Sequence, residues 1–200
     1  DNNIFRPREK KLQVCVVPRK LPREFEAIIG GLRLLHPTFV GIPILRIDSV
    51  PEPQVAAMMA SSAVFLSLCH REALPLTPIE AMASGCAIVG YHGWGGLDYA
   101  NAANGRWFGH DEVEGVIDAL AEVLDGLSRQ DPAMTAMIAR HLMPMTLSYF
   151  PKMYRLLRRW NCWKVSRPDV FFFVKIPFIT SGPARLTQQL LFGMAPSRLG

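Results

Sequence analysis

Two glutamates separated by seven residues are the first candidates for chemistry in this sequence. Glu72 and Glu80 bracket the segment Glu-Ala-Leu-Pro-Leu-Thr-Pro-Ile-Glu, with Glu72 in a predicted loop and Glu80 about two turns into the helix that follows. Around the start of that helix, the backbone N–H groups of Leu74, Leu76 and Thr77 have no intrahelical acceptor. Such N–H groups and the helix dipole together stabilise an anion, for example a diphosphate. The segment therefore predicts a site for a phosphorylated ligand.

Basic residues and glycines follow two other predicted strands. Arg19 and Lys20 follow the first strand, where they either bind an anion or lie solvated at the strand end. Gly95 and Gly96 follow a later strand, where they either allow a close approach to a ligand or form only a tight turn. His70, in the loop of the first glutamate, is of a residue type that serves as acid or base, although without an identified partner it is more often incidental.

The elements that must position these residues alternate between strands and helices. Short apolar, β-branched runs predict strands over residues 12–17, 39–45, 63–67 and 86–90. Helical spacing of apolar residues predicts helices after Pro22 and over residues 55–60, 77–84 and 113–126. The predicted buried face of the first helix comprises Phe25, Ile28, Ile29, Leu32 and Leu35. Gly85 is predicted to end the third helix, and Asp111 with Glu114 to cap the fourth.

This alternation predicts the fold class: α/β, with a Rossmann-like parallel sheet covered by helices on both faces. Ligands of such sheets bind at the carboxyl ends of the strands. The loops at that edge are predicted at residues 18–21, 69–76 and 91–97, which hold the candidate residues described above.

Composition divides the chain into two regions. The chain has 200 residues, half of them hydrophobic and a fifth charged, which excludes a disordered or fibrous protein. Residues 1–147 carry 13 basic and 16 acidic side chains, a balance of −3, whereas residues 148–200 carry 9 basic side chains and one acidic, a balance of +8. We therefore predict a domain over residues 1–142 and an atypical basic, aromatic tail over residues 143–200. The tail is either a surface for an anionic membrane or a partner, or a sequence end without a function.

Cysteine usage argues against a metal or disulfide framework. The four cysteines lie far apart with no Cys-x-x-Cys spacing, and no apolar run is long enough to span a membrane. Cys15 and Cys86 are predicted to be small core residues in strands. These features favour a cytoplasmic protein, with peripheral membrane contact through the tail as a further expectation.

The segment that follows Glu72 resembles family-4 glycosyltransferases of the GT-B fold. Their signature of two glutamates, Ala-Met-Ala-x-Gly, a short hydrophobic strand and a glycine pair is matched in register from Glu72 to Gly96. The resemblance implies that Glu80 binds the ribose hydroxyls of a nucleotide, and a carboxylate is an acceptor-only group suited to a diol. It also implies that Glu72 lies by the transferred sugar as the catalytic residue. Arg19 and Lys20 would neutralise the diphosphate.

The function implied by the resemblance is that of the carboxyl-terminal, donor-binding half of a retaining glycosyltransferase. The donor is a nucleoside-diphosphate sugar, no metal or other cofactor is expected, and the acceptor is expected on a missing amino-terminal domain. This half alone is therefore expected to be inactive, because transfer requires both substrates in attack geometry. The alternative is a non-catalytic α/β module whose basic tail associates with a membrane or nucleic acid, although no nucleic acid is expected as a partner of the donor domain. A Rossmann dehydrogenase is disfavoured because the turn after the first strand lacks Gly-x-Gly-x-x-Gly.

Overall fold

The computed structural model of the chain describes residues 4–142. The bounds of the strands and α-helices in chain order are β1 Lys11–Val16, α1 Pro22–Leu35, β2 Ile44–Arg46, α2 Glu52–Ser61, β3 Ser62–Cys69, α3 Leu76–Ala83, β4 Ala87–His92, β5 Arg106–Phe108, α4 Val113–Ser128 and α5 Pro132–Leu142. Strands and α-helices alternate up to β4, after which β5, α4 and α5 follow. Short 3₁₀ turns at Pro18–Lys20 and Gly95–Asp98 follow β1 and β4.

The strands form one parallel sheet in the order β2-β1-β3-β4-β5. All eight residues of β3 are buried, as expected of the central strand. One face of the sheet packs on α1 and α4, with the α5 residues Met134 and Met137. The other face packs on α2 and α3, with Phe5 and Tyr99. The predicted fold class, a Rossmann-like parallel sheet with helices on both faces, is therefore confirmed.

Three local predictions were wrong. The second strand covers only Ile44–Arg46 because Pro37–Phe39 form a 3₁₀ turn and the chain joins the sheet after Pro43, which has no N–H to donate. Leu35 is 59% exposed, because it is the last residue of α1 and lies beyond the part of the helix that the sheet covers. Asp111 does not cap α4; the carboxylate of Glu112 instead accepts a hydrogen bond from the Gly109 N–H at 2.7 Å.

The sequence analysis missed β5 and α5. Three residues are too few to show a strand periodicity, and β5 is held by its pairing with β4, for example Gly90 with Trp107. The predicted tail, residues 143–200, lies outside the described residues.

Candidate functional site

The loops that follow the strands meet at the carboxyl edge of the sheet. The Pro18–Lys20 turn follows β1, residues 70–75 follow β3, and the Gly95–Asp98 turn follows β4. Because β1, β3 and β4 are neighbours in the sheet, these three loops are also neighbours. The order of the strands therefore brings the three predicted loops together at one edge of the sheet.

Lys20 and Glu72 form an ion pair at this edge. The Lys20 Nζ lies 2.7 Å from Glu72 Oε1, and the side chains are 34% and 22% exposed. An ammonium and a carboxylate held partly in solvent can each exchange this partner for a ligand group of opposite charge or for a hydroxyl. Arg19 is exposed and forms no ion pair with the described residues.

The start of α3 lies directly after this pair. Pro75 is the N-cap residue and makes no side-chain capping bond, so the first N–H groups of the helix have no capping acceptor. Leu74, Leu76 and Thr77 donate no hydrogen bond to a loop or side chain of the described region. The Tyr99 hydroxyl donates to the Pro75 carbonyl at 3.0 Å and fixes the loop. These amides are available to an anion at the start of α3.

Gly95 connects the loop after β4 to the loop after β3. Its N–H donates to the Glu72 carbonyl at 2.9 Å, and a Cβ added at Gly95 would lie 1.8 Å from the Ala73 carbonyl oxygen. A Cβ at Gly96 would meet nothing closer than 3.3 Å. The first glycine is therefore required by the close approach of two backbones, while the second is not.

Glu80 lies on α3 apart from this cluster. Its side chain is half-buried and forms no hydrogen bond or ion pair with the described residues. Burial, and to a lesser extent the nearby charge of Glu52, raise the pKa of Glu80 to about 7. The carboxylate is thus poorly solvated when ionised, and hydroxyl donors from a ligand would stabilise it.

Two histidines from the loops after β3 and β5 are in contact, with their ring planes tilted by 44°. The rings of His70 and His110 lie 4.0 Å apart, and His110 also lies 5.5 Å from the ring of Tyr91. His110 Nε2 is 3.7 Å from the carboxylate of Glu24. The sequence analysis missed His110, whose position shortly after β5 would have indicated it only if that short strand had been recognised.

Cys69 lies at the end of β3, close to the ion pair. Burial raises the pKa of its thiol to about 12, so the group is neutral. It is a core residue and not a nucleophile. The other predicted core cysteines, Cys15 and Cys86, are also buried.

Over residues 4–142, no three His, Cys, Asp or Glu side chains are placed to share a metal ion. In that region no helix combines the length and the apolar character that crossing a bilayer requires.

The fold is a Rossmann-like α/β domain built on a five-stranded parallel sheet, with the candidate residues at its carboxyl edge. The family model described as Glycosyl transferases group 1 matches residues 44–138. A curated relative, the alpha-1,6-glucosyltransferase of Actinobacillus pleuropneumoniae serotype 7 (strain AP76), is 28% identical over 129 residues. That alignment covers 62% of this chain and 39% of the relative, so the chain spans about two fifths of the relative's length. The family model covers slightly less than half of the chain, and both matches show that this chain is similar to glycosyltransferases over the aligned segments.

Solved structures show the same fold at low sequence identity. A point mutant of S. aureus TarM, in complex with Fondaparinux, alpha-GlcNAc-glycerol and UDP, aligns with a TM-score of 0.60 at 12% identity over 78% of this chain and 36% of that one. The C-terminal domain of a glycosyl transferase group 1 family protein (LpcC) from Francisella tularensis aligns with a TM-score of 0.56 at 17% identity. That alignment covers 74% of this chain and 97% of the domain.

Proposed function

We propose that this domain binds the nucleoside-diphosphate sugar of a retaining, family-4 glycosyltransferase. The observation that carries the proposal is the Lys20–Glu72 ion pair at 2.7 Å, next to the uncapped start of α3. One cation, several free amides and a carboxylate at one strand edge match a diphosphate that is attached to a sugar.

In this proposal the diphosphate binds Lys20, Arg19 and the N–H groups of Leu74, Leu76 and Thr77. Transfer leaves negative charge on the departing nucleoside diphosphate. Preorganised donors and cations stabilise that charge without a further rearrangement. Pro75 lies between Leu74 and Leu76 and has no N–H group. The hydrogen bonds to the diphosphate therefore come from the N–H groups of its neighbours.

Glu80 is proposed to accept hydrogen bonds from the two ribose hydroxyls. A half-buried carboxylate whose pKa is raised to about 7 gains the most from donors that arrive with the ligand. Glu72 is proposed to contact the transferred sugar, with Lys20 turning from the carboxylate to the phosphate when the donor binds. Gly95 belongs to the same site by holding the Glu72 loop, and Gly96 follows it in the same turn.

The choice of nucleotide and sugar for a first test follows from the relatives. The S. aureus TarM structure contains UDP, and the Actinobacillus relative is named an alpha-1,6-glucosyltransferase. UDP-glucose is therefore the first donor to examine. A second domain is proposed to hold the acceptor, because the relative is much longer and the LpcC C-terminal domain is matched over nearly its whole length.

The balance of +8 over residues 148–200 favours a second candidate function. A basic tail could attach a non-catalytic α/β module, or the donor domain itself, to an anionic membrane at the cytoplasmic side. Salt separates the two functions: vesicle or nucleic-acid binding through the tail weakens steeply with salt, whereas donor binding changes little.

Titration calorimetry of two variants with two ligands tests the proposal. Glu80→Gln is expected to weaken both UDP and UDP-glucose by about 1–3 kcal/mol, because a carboxamide only partly replaces a charged acceptor. Glu72→Gln is expected to leave UDP affinity unchanged and to weaken UDP-glucose. Equal, small effects of both substitutions on both ligands would mean that the glutamates are surface charges, and the proposal would fail.

A further inference from the structure

A cavity of about 370 Å³ lies between the segment that connects β4 to β5 and strand β5 itself. This volume lies within the range of small-molecule sites. Leu97, Asn101 and Trp107 line it, together with His92 at the end of β4 and Arg106 at the start of β5. It lies on the β4–β5 side of the sheet edge, whereas Lys20 lies on the β1 side, with β3 between them.

The cavity combines a fixed aromatic ring with polar groups that retain binding capacity. The Trp107 indole N–H donates to Asn104 Oδ1 at 2.8 Å, and its ring packs edge-on against Tyr99 at 5.8 Å, so the ring cannot easily turn. His92 uses Nδ1 for the Gly93 carbonyl and keeps Nε2 for another partner. Arg106 contacts Glu122 with one nitrogen at 3.1 Å and has further N–H donors.

Trp94 lies in the same loop as the lining residue Leu97, whose N–H donates to the Trp94 carbonyl at 3.4 Å. Its side chain is 70% exposed, and that of Leu97 is 65% exposed. The Arg71 guanidinium lies 5.9 Å from the Trp94 ring centre, and Arg71 directly precedes Glu72 in the chain. Because Gly95 donates to the Glu72 carbonyl, the loop that carries Trp94 is also attached to the Glu72 loop. Large exposed apolar side chains in one loop indicate a binding surface.

We infer that Trp94 and the cavity lined by Leu97 and Trp107 bind one saccharide ring of an extended acceptor, in addition to the acceptor site proposed on the second domain. A sugar ring presents C–H groups on one face and hydroxyls around its edge. Such a ligand stacks on an indole and bonds to imidazole and guanidinium groups. A second nucleotide fits less well. Arg106 is the one arginine or lysine among the lining residues, and Glu122 already balances its charge. The inference rests on the proposed function, because it assigns the diphosphate and donor sugar to the Lys20–Glu72 side.

The test uses the full chain and a panel of saccharides as probes. Maltotriose, isomaltotriose, cellotriose and chitotriose are titrated by saturation-transfer NMR, and UDP is titrated separately by calorimetry. We expect at least one trisaccharide to bind, and Trp94→Ala to weaken it about tenfold while UDP affinity stays unchanged. The matched control is Leu34→Ala, which removes a side chain that is 78% exposed on α1 and should change neither affinity.

Two further variants keep the test independent of folding and of the donor site. Leu97→Ala removes a second exposed side chain of the surface and should also weaken the trisaccharide. Glu80→Gln should weaken UDP and leave the trisaccharide unchanged. If UDP binds and no trisaccharide does, or if Trp94→Ala and Leu34→Ala have equal effects, the inference is wrong and the donor proposal stands. If a trisaccharide binds at Trp94 and UDP does not bind at all, the donor proposal fails and this saccharide site remains.

Discussion

The half-buried carboxylate of Glu80 gives the domain a pH dependence that does not require a ligand. Its pKa in the folded chain is about 7, compared with 4.5 for the free side chain, because burial disfavours the charged form. Below both values the group is protonated in either state. As the pH rises from about 4.5 to about 7, the unfolded chain releases the proton first, so stability falls through that window.

We therefore predict that Glu80→Gln increases the free energy of unfolding at about pH 8 by about 1–2 kcal/mol. This range is smaller than the full pKa shift would give, because solvent screens a partly exposed carboxylate. At about pH 4.5 the gain should largely disappear. Urea unfolding at both pH values measures this difference. Glu114→Gln on the exposed side of α4 is the control. A gain that is independent of pH would contradict the assignment of a raised pKa to Glu80.

The sequence predicted part of the site at the scale of residues. The pattern around Glu72 and the position of Lys20 after β1 indicated both members of the ion pair, since each follows a strand that the apolar runs make evident. Tyr91 and His110, by contrast, meet only because β4 pairs with β5. No local pattern around residue 110 carries that information.

At the scale of elements, Lys10 joins the ends of two helices. Its Nζ donates to the carbonyls of Met59 in α2 and Ser84 after α3, at 3.1 and 2.6 Å. Burial lowers the pKa of Lys10. An ammonium at two helix carboxyl ends satisfies carbonyls that have no intrahelical donor and interacts favourably with both dipoles.

Lys10→Met is predicted to lower the free energy of unfolding by about 1–3 kcal/mol, because it leaves partly buried carbonyls without donors. Lys11→Met is the matched control, since Lys11 is exposed at the start of β1 and should change stability by less than about 0.5 kcal/mol. Thermal and urea unfolding compare the two variants. Equal effects would show that the contacts of Lys10 do not support the helix ends.

Gly95 and Gly96, in the loop after β4, allow a second comparison of two matched substitutions. Gly95→Ala places a Cβ 1.8 Å from the Ala73 oxygen, so the two loops must separate, whereas Gly96→Ala meets the His92 Cβ at 3.3 Å. We predict that Gly95→Ala weakens UDP-glucose at least tenfold and that Gly96→Ala has a smaller effect. Calorimetry on both variants measures the ratio. Equal affinities for the two would contradict the role of Gly95 in holding the Glu72 loop.

Element prediction from sequence succeeded where a segment is long and buried. β3 and β4 are apolar runs, and α1 and α4 show a continuous apolar face, so periodicity alone located them. The two edge strands, β2 and β5, have three residues each, and their partly buried side chains carry no clear alternation. Their existence depends on pairing with a neighbouring strand, which is a property of the sheet and not of the segment.

At the scale of the whole molecule, the described core and the candidate donor residues precede the basic end of the chain in sequence. Both core clusters and every candidate donor residue lie within residues 4–138. Removal of residues 148–200 is therefore predicted to leave UDP affinity unchanged and to reduce binding to anionic vesicles, because it removes a charge of +8. If UDP affinity vanished while the circular dichroism and melting of the domain stayed normal, the domain boundary would be wrong.

The central claim is that a nucleoside-diphosphate sugar binds at the carboxyl edge of this sheet. Amide chemical-shift mapping of the full chain during titration with UDP-glucose tests it most directly. We predict the largest shifts at residues 19–20, 72–77 and 93–96, in the loops after β1, β3 and β4. Shifts confined to the opposite edge, around residues 10–12 and 61–62, or no shifts at millimolar UDP-glucose, would contradict the claim.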